Sequence, residues 1–240
     1  MTAADSGAKP TLVLVHGAWH GGWAWDSLIP FLTEAGVRAL AVQLPGVGRG
    51  PGRHDLTGHV DFLRAELEAV TGPVVLCGHS YGGAVTTEAA SGLDNVERLV
   101  YVAAFMLEVG ESCADVIALT PAPAPPEPHL TSVLEGDYLR VSEAAAAYMF
   151  YGDCDPAQAH AAAAALTPEH VGTVGSPVAR AAWHEIPSTY VVCENDNALP
   201  PAAQARMARR ATRTLTMDSS HSPMLSRPKE LAALLAQAVG

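Results

Sequence analysis

The chain has 240 residues, 49% of them hydrophobic, which is ample for one α/β core with room for an inserted subdomain. Its 14 Lys and Arg stand against 25 Asp and Glu, and the net charge of −11 repels nucleic acid and acidic membrane surfaces, so a neutral or weakly charged small molecule is the expected partner. The first ten residues hold no apolar run of the signal-peptide kind and no later segment is long enough to span a bilayer; a soluble, cytoplasmic protein is expected.

The run Thr11–Val15 reads as a buried strand, and it opens into His16-Gly-Ala-Trp-His-Gly-Gly-Trp23, a loop with three glycines. Such a loop can turn backbone N–H groups inward, as an oxyanion hole requires; the expected donors are the N–H groups of Ala18 and of Tyr81. His16 and His20 are expected to brace the loop or wall the pocket. A helix is predicted over 26–35 with Gly36 at its C-terminal stop, then a strand over 37–44. The glycines of 45–52 match neither nucleotide-binding fingerprint and are assigned to a surface loop. Asp55 or Thr57 can cap a helix to about Val70 with Val60, Leu63 and Leu67 on one face.

The most informative stretch is Val74-Val-Leu-Cys-Gly-His-Ser-Tyr-Gly-Gly83, an apolar strand ending in Gly-x-Ser-x-Gly before a small-residue helix. A serine on such a turn sits in strained backbone with its hydroxyl exposed, which makes Ser80 the candidate nucleophile. Another buried run, Val96 to Phe105, completes β-α-β-α-β-α-β, the order of a mostly parallel, doubly wound sheet with ligands at the carboxyl ends of its strands. From about 107 to 183 the pattern changes to a Pro-rich stretch, Pro121–Pro128, and Ala-rich helical stretches around 142–150 and 156–166. One domain spanning 1–240 with a helical cap inserted at about 107–183 is the expectation. Trp19, Phe105, Met106, Tyr148, Met149, Phe150 and Trp183 are candidate substrate-binding walls.

Strand and helix alternation resumes with Thr189–Cys193. Asp196 lies in the turn just past that strand and is preferred over Glu194 as the acid. A helix over 202–211, a last strand over 212–217 and a closing helix over 228–239 follow. His221 stands in the loop after the last strand, so the chain order is nucleophile, acid, histidine. Cys77, Cys113, Cys154 and Cys193 lack any C-x-x-C spacing and read as reduced, structural thiols, while ten histidines without H-E-x-x-H give no reason to expect a metal; no cofactor is expected.

On His16–Trp23, Gly78–Gly83, Tyr101–Met106 and the loops of Asp196 and His221, the chain resembles the α/β-hydrolase superfamily over nearly its whole length. It is most similar to the branch of plant methyl esterases and hydroxynitrile lyases. That resemblance implies an α/β-hydrolase fold and a Ser80, His221, Asp196 triad. Lyases of the branch carry Thr after the first loop histidine and Lys after the catalytic one, where this chain has Gly17 and Ser222. A carboxylic esterase for small to medium, largely apolar esters is therefore expected. A C–C lyase, a non-hydrolytic small-ligand receptor and a biosynthetic cyclase stay open, as does a homodimer.

Overall fold

The computed structural model describes residues 9–46, 54–122 and 124–239. The readings made for the first eight residues and for positions 47–52 of the glycine-rich loop fall outside them. Nine strands and ten helices are present among the described residues. The strands are β1 (Thr11–Val15), β2 (Ala39–Val42), β3 (Val74–His79), β4 (Val96–Val102), β5 (Ser132–Glu135), β6 (Tyr138–Val141), β7 (Glu169–His170), β8 (Ser188–Cys193) and β9 (Arg213–Met217). The helices are α1 (Ile29–Glu34), α2 (Leu56–Ala69), α3 (Gly82–Ala89), α4 (Cys113–Leu119), α5 (Glu143–Met149), α6 (Pro156–Ala165), α7 (Gly172–Gly175), α8 (Pro201–Ala208), α9 (Pro223–Ser226) and α10 (Pro228–Val239).

Six strands form one sheet in the order β2-β1-β3-β4-β8-β9, with every neighbouring pair parallel. Side chains alternate between its faces: Val13 and Val15 of β1 join Leu76, Leu99 and Tyr101 in a core beneath α2, α3 and α8. Leu12 and Leu14 join Val75, Cys77, Val100 and Val191 in a second core against α10 and the residues before α1. Burial on both faces is why the central strands β1, β3 and β8 read as continuous apolar runs, while the edge strands β2 and β9 are partly exposed. This is the α/β-hydrolase fold.

Local signals set several boundaries. Asp55 caps α2, its side chain accepting the Gly58 N–H at 2.9 Å. Gly36, at φ 72°, closes the turn after α1. The helix predicted over 26–35 starts only at Ile29, because Gly22–Trp25 forms a 3₁₀ turn first.

Between β4 and β8 the chain leaves the sheet. The expected helices of this segment are α5 and α6, capped by Ser142 and Asp155. It is not purely helical, however: β5, β6 and β7 form a separate antiparallel sheet, and α4 carries a Ser112–Asp115 capping box. The short, half-exposed strands give no long apolar alternation, and β7 is two residues long, so composition alone reads as loop there. None of the helices among the described residues is long and apolar enough to cross a membrane.

Candidate active site

Ser80 lies between β3 and α3 with φ 51°, in the left-handed region that a non-glycine residue enters only when its surroundings hold it. The hold is visible. The Ser80 N–H donates to Val102 O at 3.3 Å, and its carbonyl accepts the Gly83 and Phe105 N–H groups at 3.0 Å each. The flanking glycines are steric requirements: a Cβ on Gly78 would stand 2.6 Å from Gly82 O, and one on Gly82 would stand 2.5 Å from His16 O. Only bare backbone lets β1, β3 and α3 approach this closely. Ser80 keeps 9% of its surface exposed.

The turn after β8 supplies Asp196, 3% exposed, whose carboxylate accepts four hydrogen bonds. Oδ1 takes the N–H groups of Ala198 (2.8 Å) and Leu199 (2.9 Å); Oδ2 takes Gln204 Nε2 (2.8 Å) and His221 Nδ1 (2.6 Å). With Nδ1 donating to the carboxylate, the His221 proton is committed on that side and Nε2 carries the lone pair. Glu194, the rival acid, is exposed. His221 itself is fastened to the elbow: His79 Nε2 donates to His221 O at 2.8 Å, and the two rings lie 4.7 Å apart. Residue 221 therefore packs on the residue that immediately precedes Ser80.

The loop after β1 closes the third side. A Cβ on Gly17 would sit 2.9 Å from Ser80 Cβ, so this backbone touches the serine directly. His16 Nδ1 donates to Gly17 O at 2.8 Å while its Nε2 accepts the Leu44 N–H at 3.1 Å. His20 Nδ1 donates to Ala18 O at 2.8 Å, and its Nε2 accepts the Tyr151 hydroxyl at 2.9 Å. Because a trans peptide points its N–H opposite its C=O, pinning Gly17 O fixes the direction of the Ala18 N–H. Among the described residues, neither the Ala18 nor the Tyr81 N–H is consumed by a hydrogen bond. Tyr81 is anchored from behind: its hydroxyl donates to His59 Nδ1 at 2.8 Å, and His59 Nε2 donates to Pro45 O at 3.0 Å.

Each of His16, His20 and His59 thus uses one ring nitrogen as donor and the other as acceptor, the pattern of a neutral imidazole. Burial is the main cause that holds His16 and His59 down to about 4 and His20 down to about 3, and it drives His79 well below the ordinary histidine range. Four neutral histidines surround the site, and among the described residues none of these four shows a hydrogen bond to a carboxylate as His221 does.

The wall candidates divide. The Phe150 ring lies 5.7 Å from that of His221 and 5.5 Å from that of Trp19, so Phe150 packs between the imidazole and the indole. Phe105 is tied to Ser80 through its backbone, and Met106 is wholly buried in the core. Tyr148 and Met149 are half-buried; the Tyr148 carbonyl accepts Asn197 Nδ2 at 3.1 Å. Trp183 is engaged elsewhere, its Nε1 donating to Leu107 O at 2.8 Å and its ring meeting His184 and Arg210. These contacts include none of Ser80, Asp196 or His221. Gln204, His59 and His79 escaped the sequence reading, since their partners are 8 to 142 positions away and share no motif with them.

Known proteins resemble this chain over most of its length. A family model described as "Alpha/beta hydrolase family" matches residues 12–234. An alpha/beta hydrolase, nvfD, of Aspergillus novofumigatus is 31% identical, the match covering 97% of each chain. A carbendazim hydrolyzing esterase of Nocardioides is 40% identical over 48% of this chain and 49% of its own. The crystal structure of a pyrethroid hydrolase from Sphingobium faniae superposes with a TM-score of 0.79 at 26% identity, covering 96% of this chain and 97% of that one.

Proposed function

The chain belongs to the alpha/beta hydrolase family, and from that premise we propose that it is a serine hydrolase that cleaves carboxylic esters of small to medium, largely apolar substrates through an acyl-enzyme. The observation that carries the reading is the Asp196–His221 pair at 2.6 Å, buried against the strained turn that presents Ser80. His221 Nε2 takes the Ser80 proton as Oγ attacks the ester carbonyl, and Asp196 holds the tautomer and stabilises the imidazolium. The Ala18 and Tyr81 N–H groups receive the oxyanion. The protonated His221 then releases its proton to the leaving alcohol, and water, deprotonated by the same imidazole, returns Ser80 and frees the acid.

Ester hydrolysis is favoured over C–C lysis by two positions. A side chain at 17 would collide with Ser80 and His79, and position 222 is a fully buried serine with no cationic head to stabilise a departing anion. The apolar preference rests on Trp19 and Phe150, with the residues between β4 and β8 serving as a cap. A graded series of p-nitrophenyl esters tests this reading: the wild type should turn over the short and medium chains, and Ser80→Ala should lower kcat by at least about 10⁴-fold. Tight ligand binding with no turnover in the wild type would instead favour a receptor.

A further inference from the structure

We infer that Glu169, on β7 and 150 positions from its partner, is a positioning residue for the oxyanion loop, clamping the Ala18–Trp19 peptide from the segment between β4 and β8. The inference rests on the esterase reading, because it assigns the Ala18 N–H as a donor to the reacting carbonyl.

Trp19 is the weak point of that loop. Its φ is 63°, a conformation costly for a bulky residue, so something outside the loop has to hold it. Three residues of the inserted segment do so. Glu169 Oε2 accepts the Trp19 N–H at 2.9 Å, Leu139 O accepts the indole Nε1 at 3.0 Å, and Thr167 N–H donates to Trp19 O at 2.9 Å. With Ala18 O taken by His20, the peptide between Ala18 and Trp19 is bonded at both ends, to His20 on one side and Glu169 on the other. Relaxing Trp19 to negative φ swings that peptide, and the compensating rotation falls on Ala18, whose own N–H is the proposed donor.

The surroundings of Glu169 suit a constrained acceptor. It lines a small cavity with Gly17, His16, His54, His59 and Tyr81, so it stands beside both arms of the proposed oxyanion hole. Burial raises its carboxyl from the ordinary value to about 7, against the pull of the Trp19 N–H. His16 and His59 across the cavity are neutral, and His170 adjoins on the same strand.

Glu169→Ala removes the acceptor; Glu169→Gln keeps an oxygen in its place without the charge. With a p-nitrophenyl ester, E169A should lose about 10- to 100-fold in kcat with KM changed by less than about threefold, and E169Q should recover most of the loss. Fluorophosphonate labelling of Ser80 should slow in proportion. Amide exchange of the peptide covering residues 16–20 should quicken in E169A and return towards wild type in E169Q. Should E169A not fold, Glu169→Asp, which keeps the charge but withdraws the acceptor by one methylene, replaces it with the same readouts. Unchanged kcat and unchanged exchange on removing the acceptor, with only a lower Tm, would overturn the inference. Failure of the esterase reading itself looks different: wild-type Ser80 would take no label, and the exchange data would still report whether the clamp holds.

Discussion

Four donors converge on the Asp196 carboxylate, and in the proposed mechanism His221 alone among them moves a proton; the other three hold the carboxylate beside it. Gln204 is the most informative of the three because its side chain also accepts the Cys193 N–H and so ties the acid turn to β8. Losing a hydrogen bond to a charged group costs about 1.5–3 kcal/mol, which translates into about 10- to 100-fold in rate if it is felt in the transition state. Gln204→Leu should therefore lower kcat for ester hydrolysis by about that factor with KM little altered; a variant with wild-type kcat would show that the backbone donors suffice. At this scale the sequence was partly legible. The candidates Ser80, Asp196 and His221 could be picked out because each lies just past a predicted strand, and strand exits can be read locally. Glu169, Gln204, His59 and His79 cannot be found that way, since each gains its meaning from a partner brought close only by the folded sheet.

The turn from β3 into α3 is where packing is least forgiving. A methyl group on Gly82 would meet the carbonyl oxygens of Val15 and His16, both backbone atoms of β1 and its loop, so relief requires moving an element rather than rotating a side chain. Gly82→Ala is expected to destabilise by about 2 kcal/mol or more, in the range of overpacked cores, and to lower Tm with it. Thermal unfolding of the variant checks this, and an unshifted Tm would mean that β1 and α3 are not in contact there. The element scale also separates what periodicity reveals from what it hides. The central strands β1, β3 and β8, buried on both faces, announce themselves as apolar runs, and the closing helix has the predicted bounds Pro228–Val239. The antiparallel sheet of β5, β6 and β7 was missed because its strands are short and exposed: Val133 and Leu134 are among the large apolar residues left in solvent.

For the molecule as a whole, the buried histidines set the response to acid. His16, His20, His59 and His79 have folded-state values depressed below the ordinary 6.5, so the unfolded chain binds protons first. Their contribution to stability is complete above about 6.5 and is lost as the pH falls towards 4 and 3. Glu169 acts with the opposite sign: its carboxyl is raised from 4.5 to about 7, so its contribution is complete below 4.5 and is lost as the pH rises to about 7. Four imidazoles outweigh one carboxyl, and Tm should fall steadily as the pH is taken below about 6.5, with net proton uptake on unfolding. Calorimetry at a series of pH values reads this directly; a Tm that is flat or rising over that interval would mean the rings are not buried neutral. Glu169→Gln should remove the opposing part and steepen the profile between about 4.5 and 7.

The proposed triad of Ser80, His221 and Asp196 is tested most directly by intact-mass and peptide mapping after treatment with a fluorophosphonate. The wild type should gain one adduct, located on Ser80, while Ser80→Ala gains none and His221→Ala gains it at least about 10³-fold more slowly. An adduct elsewhere, or equal labelling of the wild type and Ser80→Ala, would contradict it.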